Sequence, residues 1–203
     1  MNICHIVGAG DFHQSLLKRN EGDLLIAADA GYAWLQQAKI EPDLYIGDSD
    51  SLGFHPQNTK GIFLPKAKDD TDMLAAVKEG LSRGYRRFYL YGALGGTRFS
   101  HSVANLQTLS FLAEQQAEGS LLDEHCTVGL LLPGEHRLSF SPNQTYFSLF
   151  AWEGEAELSV FGANYPLNRA TISPTFPLGV SNEAKGEVTV SVHKGKVLLV
   201  LDR

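Results

Sequence analysis

The chain has 203 residues, 43% of them hydrophobic, which is enough for one large or two small domains with a real core. Its 23 acidic and 17 basic residues leave a net charge of -6, and no basic cluster exceeds Arg86-Arg87. That balance excludes the electrostatic footprint of a nucleic-acid binder and disfavours an anionic membrane surface. No apolar run reaches the roughly 18 residues needed to cross a bilayer. The first residues, MNICHIVGAGDFH, lack a basic region followed by an apolar core, so the expected location is cytoplasmic. Cys4 and Cys126 stand far apart without metal or redox spacing and are expected to be reduced core residues.

Along the first half, short apolar runs at Ile3 to Gly8, Leu24 to Ala28, Leu44 to Gly47, Ile62 to Leu64 and Phe88 to Tyr91 alternate with helix-like segments. This alternation predicts a mostly parallel, helix-covered α/β sheet of Rossmann-like type. In DDTDMLAAVKEGLSRG, residues Met73, Ala76, Val77, Gly80 and Leu81 share one helical face and Gly84 supplies a stop. A second helix is expected from about Ser100 to Glu114, with Val103, Leu106, Leu109 and Leu112 toward the sheet. The polar stretch Glu114 to Glu124 breaks the pattern, and Val128 to Leu132 is expected to add a last strand to this half.

From Pro133 the character changes to short strand-like runs punctuated by Gly, Pro and Asn. Tyr146 to Ala151, Ala156 to Val160, Val188 to Val192 and Val197 to Leu201 read as strands, predicting an antiparallel β-sandwich. The expected domains are therefore residues 1–132 and 133–203.

Five stretches carry chemistry. In PDLYIGDSDS a buried strand delivers Asp48 and Asp50 to one turn, and hard oxygen ligands at this spacing suit Mg²⁺ bound with substrate phosphates. An ordinary solvated acidic turn is the plain alternative. AADAGY runs a strand into Asp29 and the small residue Gly31; Asp29 is either a helix cap or a ligand to metal or a ribose hydroxyl. KDDTD offers Lys68, Asp69, Thr71 and Asp72 at a helix start, where capping explains Asp69 and Asp70 better than it explains Asp72. GALGGTRFSH places Gly95, Gly96, Arg98 and His101 between a strand and a helix N-terminus, a setting that holds anions without matching a Walker or GxGxxG loop. In the second half, Tyr165 in FGANYPL and Ser181 with Asn182 in GVSNE place an aromatic ring and hydrogen-bonding groups on separate loops. Both loops also read as plain hairpin turns.

ADAGY, PDLYIGDSDS, KDDTD, GALGGTRFSHSVANL, YPL and SNE, in that order over nearly the whole chain, resemble the thiamine pyrophosphokinases. The resemblance implies an α/β nucleotide-binding catalytic domain followed by a β-sandwich that binds thiamine and forms a homodimer. It implies Mg²⁺ as cofactor, ATP as co-substrate and transfer of a diphosphate to the hydroxyethyl arm of thiamine with release of AMP. Carried over, Asp48, Asp50 and Asp72 are metal-site carboxylates and act with Arg98 in catalysis. Asp29, Gly31, Lys68, Asp69, Thr71, Gly95, Gly96 and His101 form the nucleotide side; Tyr165, Ser181 and Asn182 form the thiamine side. Two positions depart from the family's pattern: Ala30 stands where a second glycine is common, and Ser100 where an aspartate usually precedes His101. The residues alone leave open a pyrophosphokinase for another heterocyclic alcohol such as a pterin, a non-catalytic thiamine or nucleotide binder, and a phosphatase with an aspartyl nucleophile.

Overall fold

A computed structural model of the protein describes residues 2–48, 59–65, 69–140 and 146–203. The chain forms two compact units that meet in sequence between Glu124 and His125. Among the described residues, the first unit contains β1 (Cys4–Val7), β2 (Leu24–Ala28), α1 (Gly31–Gln37), β3 (Leu44–Gly47), β4 (Lys60–Phe63), α2 (Asp72–Ser82), β5 (Arg87–Tyr91), α3 (Phe99–Glu114) and β6 (Glu118–Leu122). Its strands lie in the order β6-β5-β1-β2-β3-β4, each pair parallel. Every residue of β1, β2 and β3 is buried, as continuous apolar strands are in a sheet covered on both faces. The chain builds outward from β1 to β4, then crosses to the other side of β1 for β5 and β6. The strand order therefore reverses between β1 and β5.

Two expectations for this unit change, and one for the cysteines. The polar stretch after α3 contains β6, which pairs with β5; only Leu121 of β6 is buried, and its apolar signal is the short pair Leu121-Leu122. The inner face of α3 is not the Val103 and Leu106 stripe. Ser102, Asn105, Thr108, Leu109 and Leu112 are buried while Val103 is 39% exposed, so hydrogen bonds rather than apolar contacts orient the first turns. Both cysteines are free, but only Cys4 is buried and Cys126 is partly exposed. By contrast α2 follows its pattern, with Met73, Ala76, Val77 and Gly80 buried and the Thr71 hydroxyl accepting the Leu74 N–H at 3.1 Å.

The second unit contains β7 (Cys126–Leu131), β8 (Gly134–Leu138), β9 (Tyr146–Ala163), β10 (Leu167–Ile172) and β11 (Gly179–Asp202). β11 pairs antiparallel with β7, β8 and β9, and β9 also pairs with β10. Its core includes Phe147, Leu149, Leu158, Val160, Val188, Val190 and Val197, all at most 2% exposed. The strand expected to close the first half is β7, whose partner in this sheet is β11, so the unit starts about one strand earlier than position 133. The four separate strands expected here are parts of two long ones. Register shifts between Val192, Lys194 and Lys196 let β11 bend against β9 without ending.

A buried polar cluster lies within the first unit. His5 on β1 is 0% exposed, with Nδ1 3.1 Å from the Tyr91 hydroxyl and Nε2 3.3 Å from Asp23. A carboxylate only accepts, so Nε2–H donates to Asp23 and Nδ1 accepts from Tyr91. Asp23 also accepts the backbone N–H groups of Ile3 at 2.7 Å and Asn20 at 2.8 Å. Burial lowers the pKa of His5, against the hydrogen bond and charge of Asp23, which raise it; the Arg19 charge lowers it further. For Asp23, burial works upward, but the Ile3, Asn20 and His5 hydrogen bonds outweigh it and hold the carboxyl below its usual range.

Unfolded His5 binds a proton near its ordinary value of 6.5 while folded His5 resists, so the unfolded state holds more protons as pH falls. Stability is therefore expected to decline as pH drops below about 7, with a slope approaching ~1.4 kcal/mol per pH unit until folded His5 itself protonates. Melting temperatures of wild type and His5→Asn between pH 7.5 and 5.5 check this: the wild type should lose more, and equal slopes would exclude His5 as the source.

Candidate active site

A cavity of about 280 Å³ opens in the first unit, where the strand order reverses, lined by loops that follow the carboxyl ends of the strands. Open α/β sheets bind ligands at such a point. The turn after β1 contributes Gly8, Ala9 and Gly10; the end of β2 contributes Ala28, Asp29 and Ala30; the start of α2 contributes Thr71, Asp72 and Met73. The remainder comes from Gly92, Ala93 and Gly95 to Arg98 after β5, with His101 and Asn105 from α3.

Backbone bonds zip two of these loops together. Gly8 N–H donates to the Tyr91 carbonyl at 2.8 Å, Gly10 N–H to that of Gly92 at 2.8 Å, and Asp11 N–H to that of Leu94 at 3.1 Å. From the other side, buried Asn105 donates its Nδ2–H to the Ala93 carbonyl at 2.7 Å, and the Ser102 hydroxyl donates to that of Gly95 at 3.5 Å. Gly95 and Gly96 turn with φ of +70° and +73°, a left-handed region that costs glycine little. The next element, α3, opens on Arg98 without a side-chain cap and with no acidic residue in its first turn. The His101 N–H donates to the Arg98 carbonyl at 3.0 Å; with no side-chain cap, the preceding N–H groups and the positive dipole end suit an anion, and Arg98 lines the same cavity.

The second wall is strained. Asp29 is 8% exposed and takes φ +49°, unusual for a residue with a side chain. Its N–H donates to the Ile46 carbonyl at 2.8 Å and its carbonyl accepts from Tyr32 at 3.1 Å, which holds that geometry. Gly31, first in α1, lets the helix come down on β1: a Cβ there would stand 1.9 Å from the Val7 carbonyl oxygen.

The cavity thus gathers Asp29, Thr71, Asp72, Gly95, Gly96, Arg98 and His101 from the expected set. Asp48 follows the end of β3, and exposed Asp69 is not among the lining residues. Asp70 precedes α2 and pairs with Lys78 at 2.7 Å; the cap is Thr71 and the acid of the first turn is Asp72, so the capping expected of Asp69 and Asp70 is not what the helix uses. Asp50 and Lys68 lie outside the described residues. Among the described residues no group of three or more Asp, Glu, His or Cys could hold a metal ion. Mg²⁺ usually takes only one or two protein carboxylates; of those expected to hold it, Asp72 lines the cavity and Asp48 is not among its lining residues.

Sequence reading missed Gly8, Ala9, Gly10 and Asn105. The signal was present: a buried strand ending in Val7 runs into Gly-Ala-Gly, and small residues at that position let backbone approach a ligand. In the second unit, Tyr165 is 69% exposed and Asn182 is 6% exposed. Asn182 Oδ1 accepts the N–H of Tyr165 at 3.1 Å and of Glu183 at 2.9 Å, and its Nδ2–H donates to the Tyr165 carbonyl at 2.8 Å. Asn182 therefore fixes the loop that displays Tyr165. Ser181 is exposed at φ +56°, its N–H donating to the Ser148 hydroxyl at 3.0 Å.

These features define an α/β protein with a cavity at the carboxyl edge of a parallel sheet, beside a helix N-terminus without a side-chain cap. Residues 15–119 match the family model "Thiamin pyrophosphokinase, catalytic domain", and residues 135–197 match "Thiamin pyrophosphokinase, vitamin B1 binding domain". The chain belongs to the thiamin pyrophosphokinase family. It is 28% identical over 189 residues to a thiamine pyrophosphokinase of Bacillus subtilis, covering 89% of this chain and 88% of the relative. It also resembles the crystal structure of thiamine pyrophosphokinase from that organism, with a TM-score of 0.87, 26% identity and 99% of both chains covered. Thiamin pyrophosphokinase from Candida albicans shares the fold, with a TM-score of 0.81 at 15% identity over 99% of this chain and 88% of that one.

Gly31→Ala should lower stability by about 1–3 kcal/mol, because α1 must lift from β1 to admit the methyl group. Chemical denaturation tests it; an unchanged midpoint would mean that the helix can shift freely.

Proposed function

We propose that this protein transfers a diphosphate from ATP to the hydroxyl of thiamine, yielding thiamine diphosphate and AMP. The observation that carries the reading is the uncapped N-terminus of α3 joined to the Gly95-Gly96 turn at the strand-order reversal, within a chain matching both family models. In this reading the first unit is the Rossmann-like nucleotide-binding half and the second a thiamine-binding β-sandwich. Tyr165 stacks on the heterocycle, and Ser181 reads its edge beside Asn182.

Phosphoryl-type transfer depends mainly on positioning and charge stabilisation. The Gly95 amide, the N-terminus of α3 and the Arg98 guanidinium hold the triphosphate oxygens in line with the incoming alcohol, the Gly96 N–H being bonded to Asp11. The thiamine oxygen forms a bond to the β-phosphorus, the bond from that phosphorus to the oxygen bridging to the α-phosphate breaks, and AMP leaves with that oxygen. The proton of the alcohol passes to Asp72 or His101, both on the cavity wall. Asp48, Asp50 and Asp72 are the residues that would hold Mg²⁺, whose charge offsets that of the triphosphate. The protein acts in the cytoplasm as a homodimer, for which Phe161, Tyr165 and Phe176 of the second unit supply exposed apolar surface.

Ser100 favours a second reading, a weakened enzyme that binds its ligands, because it leaves the first turn of α3 without a carboxylate. Purified protein with ATP and Mg²⁺ is expected to release AMP only when thiamine is present, with thiamine diphosphate as product by mass. Thiamine binding without AMP, with turnover appearing in Ser100→Asp, would establish the weakened reading instead; AMP release with a pterin alcohol and not with thiamine would overturn the acceptor. Asp72→Asn and Asp48→Ala should each lower kcat by about 10²-fold or more with the melting temperature retained. Near-normal turnover in either variant would remove that residue from the site.

A further inference from the structure

We propose that Asp11 is a positioning residue of the nucleotide site, holding the Gly95-Gly96 turn in its phosphate-accepting shape; the inference rests on the ATP-binding reading above. Asp11 lies four residues beyond β1, in the loop zipped to the turn after β5. Its N–H donates to the Leu94 carbonyl at 3.1 Å, while its Oδ2 accepts the Gly96 N–H at 3.2 Å. The carboxylate also packs against Gly95, where a Cβ would be 2.0 Å from Oδ2 and 2.8 Å from Cγ. One residue thus grips the turn on both sides of Gly95, through its backbone and its side chain. Asp11 is not among the residues lining the cavity, so it acts through the turn and not on the ligand.

The physical need is plain. Two consecutive glycines populate many backbone conformations, and ordering them on ligand binding costs affinity unless the free protein has already done so. An acceptor on the Gly96 N–H supplies that order. The requirement is for an oxygen of the right reach, not for a charge, since a negative group beside a triphosphate is repelled by it. Asparagine offers the same oxygen without the charge, whereas alanine offers neither.

The test compares full-length wild type, Asp11→Ala and Asp11→Asn. ATP binding is measured by calorimetry, kinetics by AMP release, and Gly96 amide exchange by NMR without ligand. In Asp11→Ala the Kd and KM for ATP should rise about threefold to tenfold with kcat within about twofold. The KM for thiamine and the melting temperature should hold, and the Gly96 amide should exchange faster. Asp11→Asn should bind ATP at least as tightly as wild type and keep the amide protected. Wild-type ATP affinity in Asp11→Ala would overturn the proposal, as would an Asp11→Asn variant as impaired as the alanine one, which would mark the charge as the active feature. If wild type itself binds no ATP, the ATP reading falls and takes this role of Asp11 with it; binding by wild type with no loss in the variant sinks the Asp11 inference alone.

Discussion

The site depends on a short backbone ladder between the loops that leave β1 and β5. Three N–H groups, of Gly8, Gly10 and Asp11, each find a carbonyl of the segment Tyr91 to Leu94. Loop backbone buried at a sheet edge must satisfy its polar groups somewhere, and here the two loops satisfy each other. The approach is close: a Cβ on Gly10 would stand 2.3 Å from the Leu94 carbonyl oxygen. Because the ladder extends the hydrogen bonding of two central strands past their ends, the turn carrying Gly95 and Gly96 hangs from the most buried part of the sheet. A loop with no regular structure of its own thereby inherits the rigidity of β1 and β5.

Unusual backbone gathers in the same place. Asp29, Gly92, Gly95 and Gly96 all have positive φ, and all line the cavity. Such conformations persist when the surroundings over-determine them, and at Asp29 the hydrogen bonds to Ile46 and Tyr32 do so. The arrangement separates two tasks. Buried strands supply stability, and their carboxyl ends carry the strained, polar geometry that lines the cavity.

Strands with continuous apolar runs were legible in the sequence because burial on both faces writes itself as an uninterrupted run: β1, β2 and β3 fall where Ile3 to Gly8, Leu24 to Ala28 and Leu44 to Gly47 place them, and partly buried β5 falls at Phe88 to Tyr91. α2 was legible through its apolar face and the stop at Gly84, but its cap, Thr71, was not, since the neighbouring acids Asp69 and Asp70 offered the stronger capping signal. β6 was not, since its sequence Glu-Gly-Ser-Leu-Leu takes its stability from pairing with β5 and not from its own side chains. The membership of β7 was hidden for a related reason: an apolar strand does not announce its partner, and β11 claims it from some seventy positions away. Of the acidic and glycine-rich motifs, Asp29, Asp72, Gly95 and Gly96 line the cavity, while Asp48 and Asp69 are not among its lining residues. The Gly8 to Gly10 loop was overlooked because it carries no reactive group; its contribution is the backbone ladder, which sequence shows only as small residues after a strand.

The contrast between α2 and α3 shows how the fold divides its material. α2 presents an apolar face of Met73, Ala76 and Val77 and closes its N-terminus with Thr71, so its orphan donors are partly satisfied internally. α3 does the reverse. Ser102, Asn105 and Thr108 are buried, the N-terminus is open, and Phe99 beside Arg98 is 79% exposed. A helix that buries polar groups gives up hydrophobic stabilisation, and each such group is costly unless bonded. Asn105 is bonded to the Ala93 carbonyl, Ser102 to that of Gly95 and Thr108 to that of Ala104, so the cost is met largely by bonds that also fasten the turn after β5. An apolar face would have seated α3 on the sheet more firmly, but it could not have fixed those carbonyls. The sequence of α3 is better explained by the turn it holds than by the helix it forms.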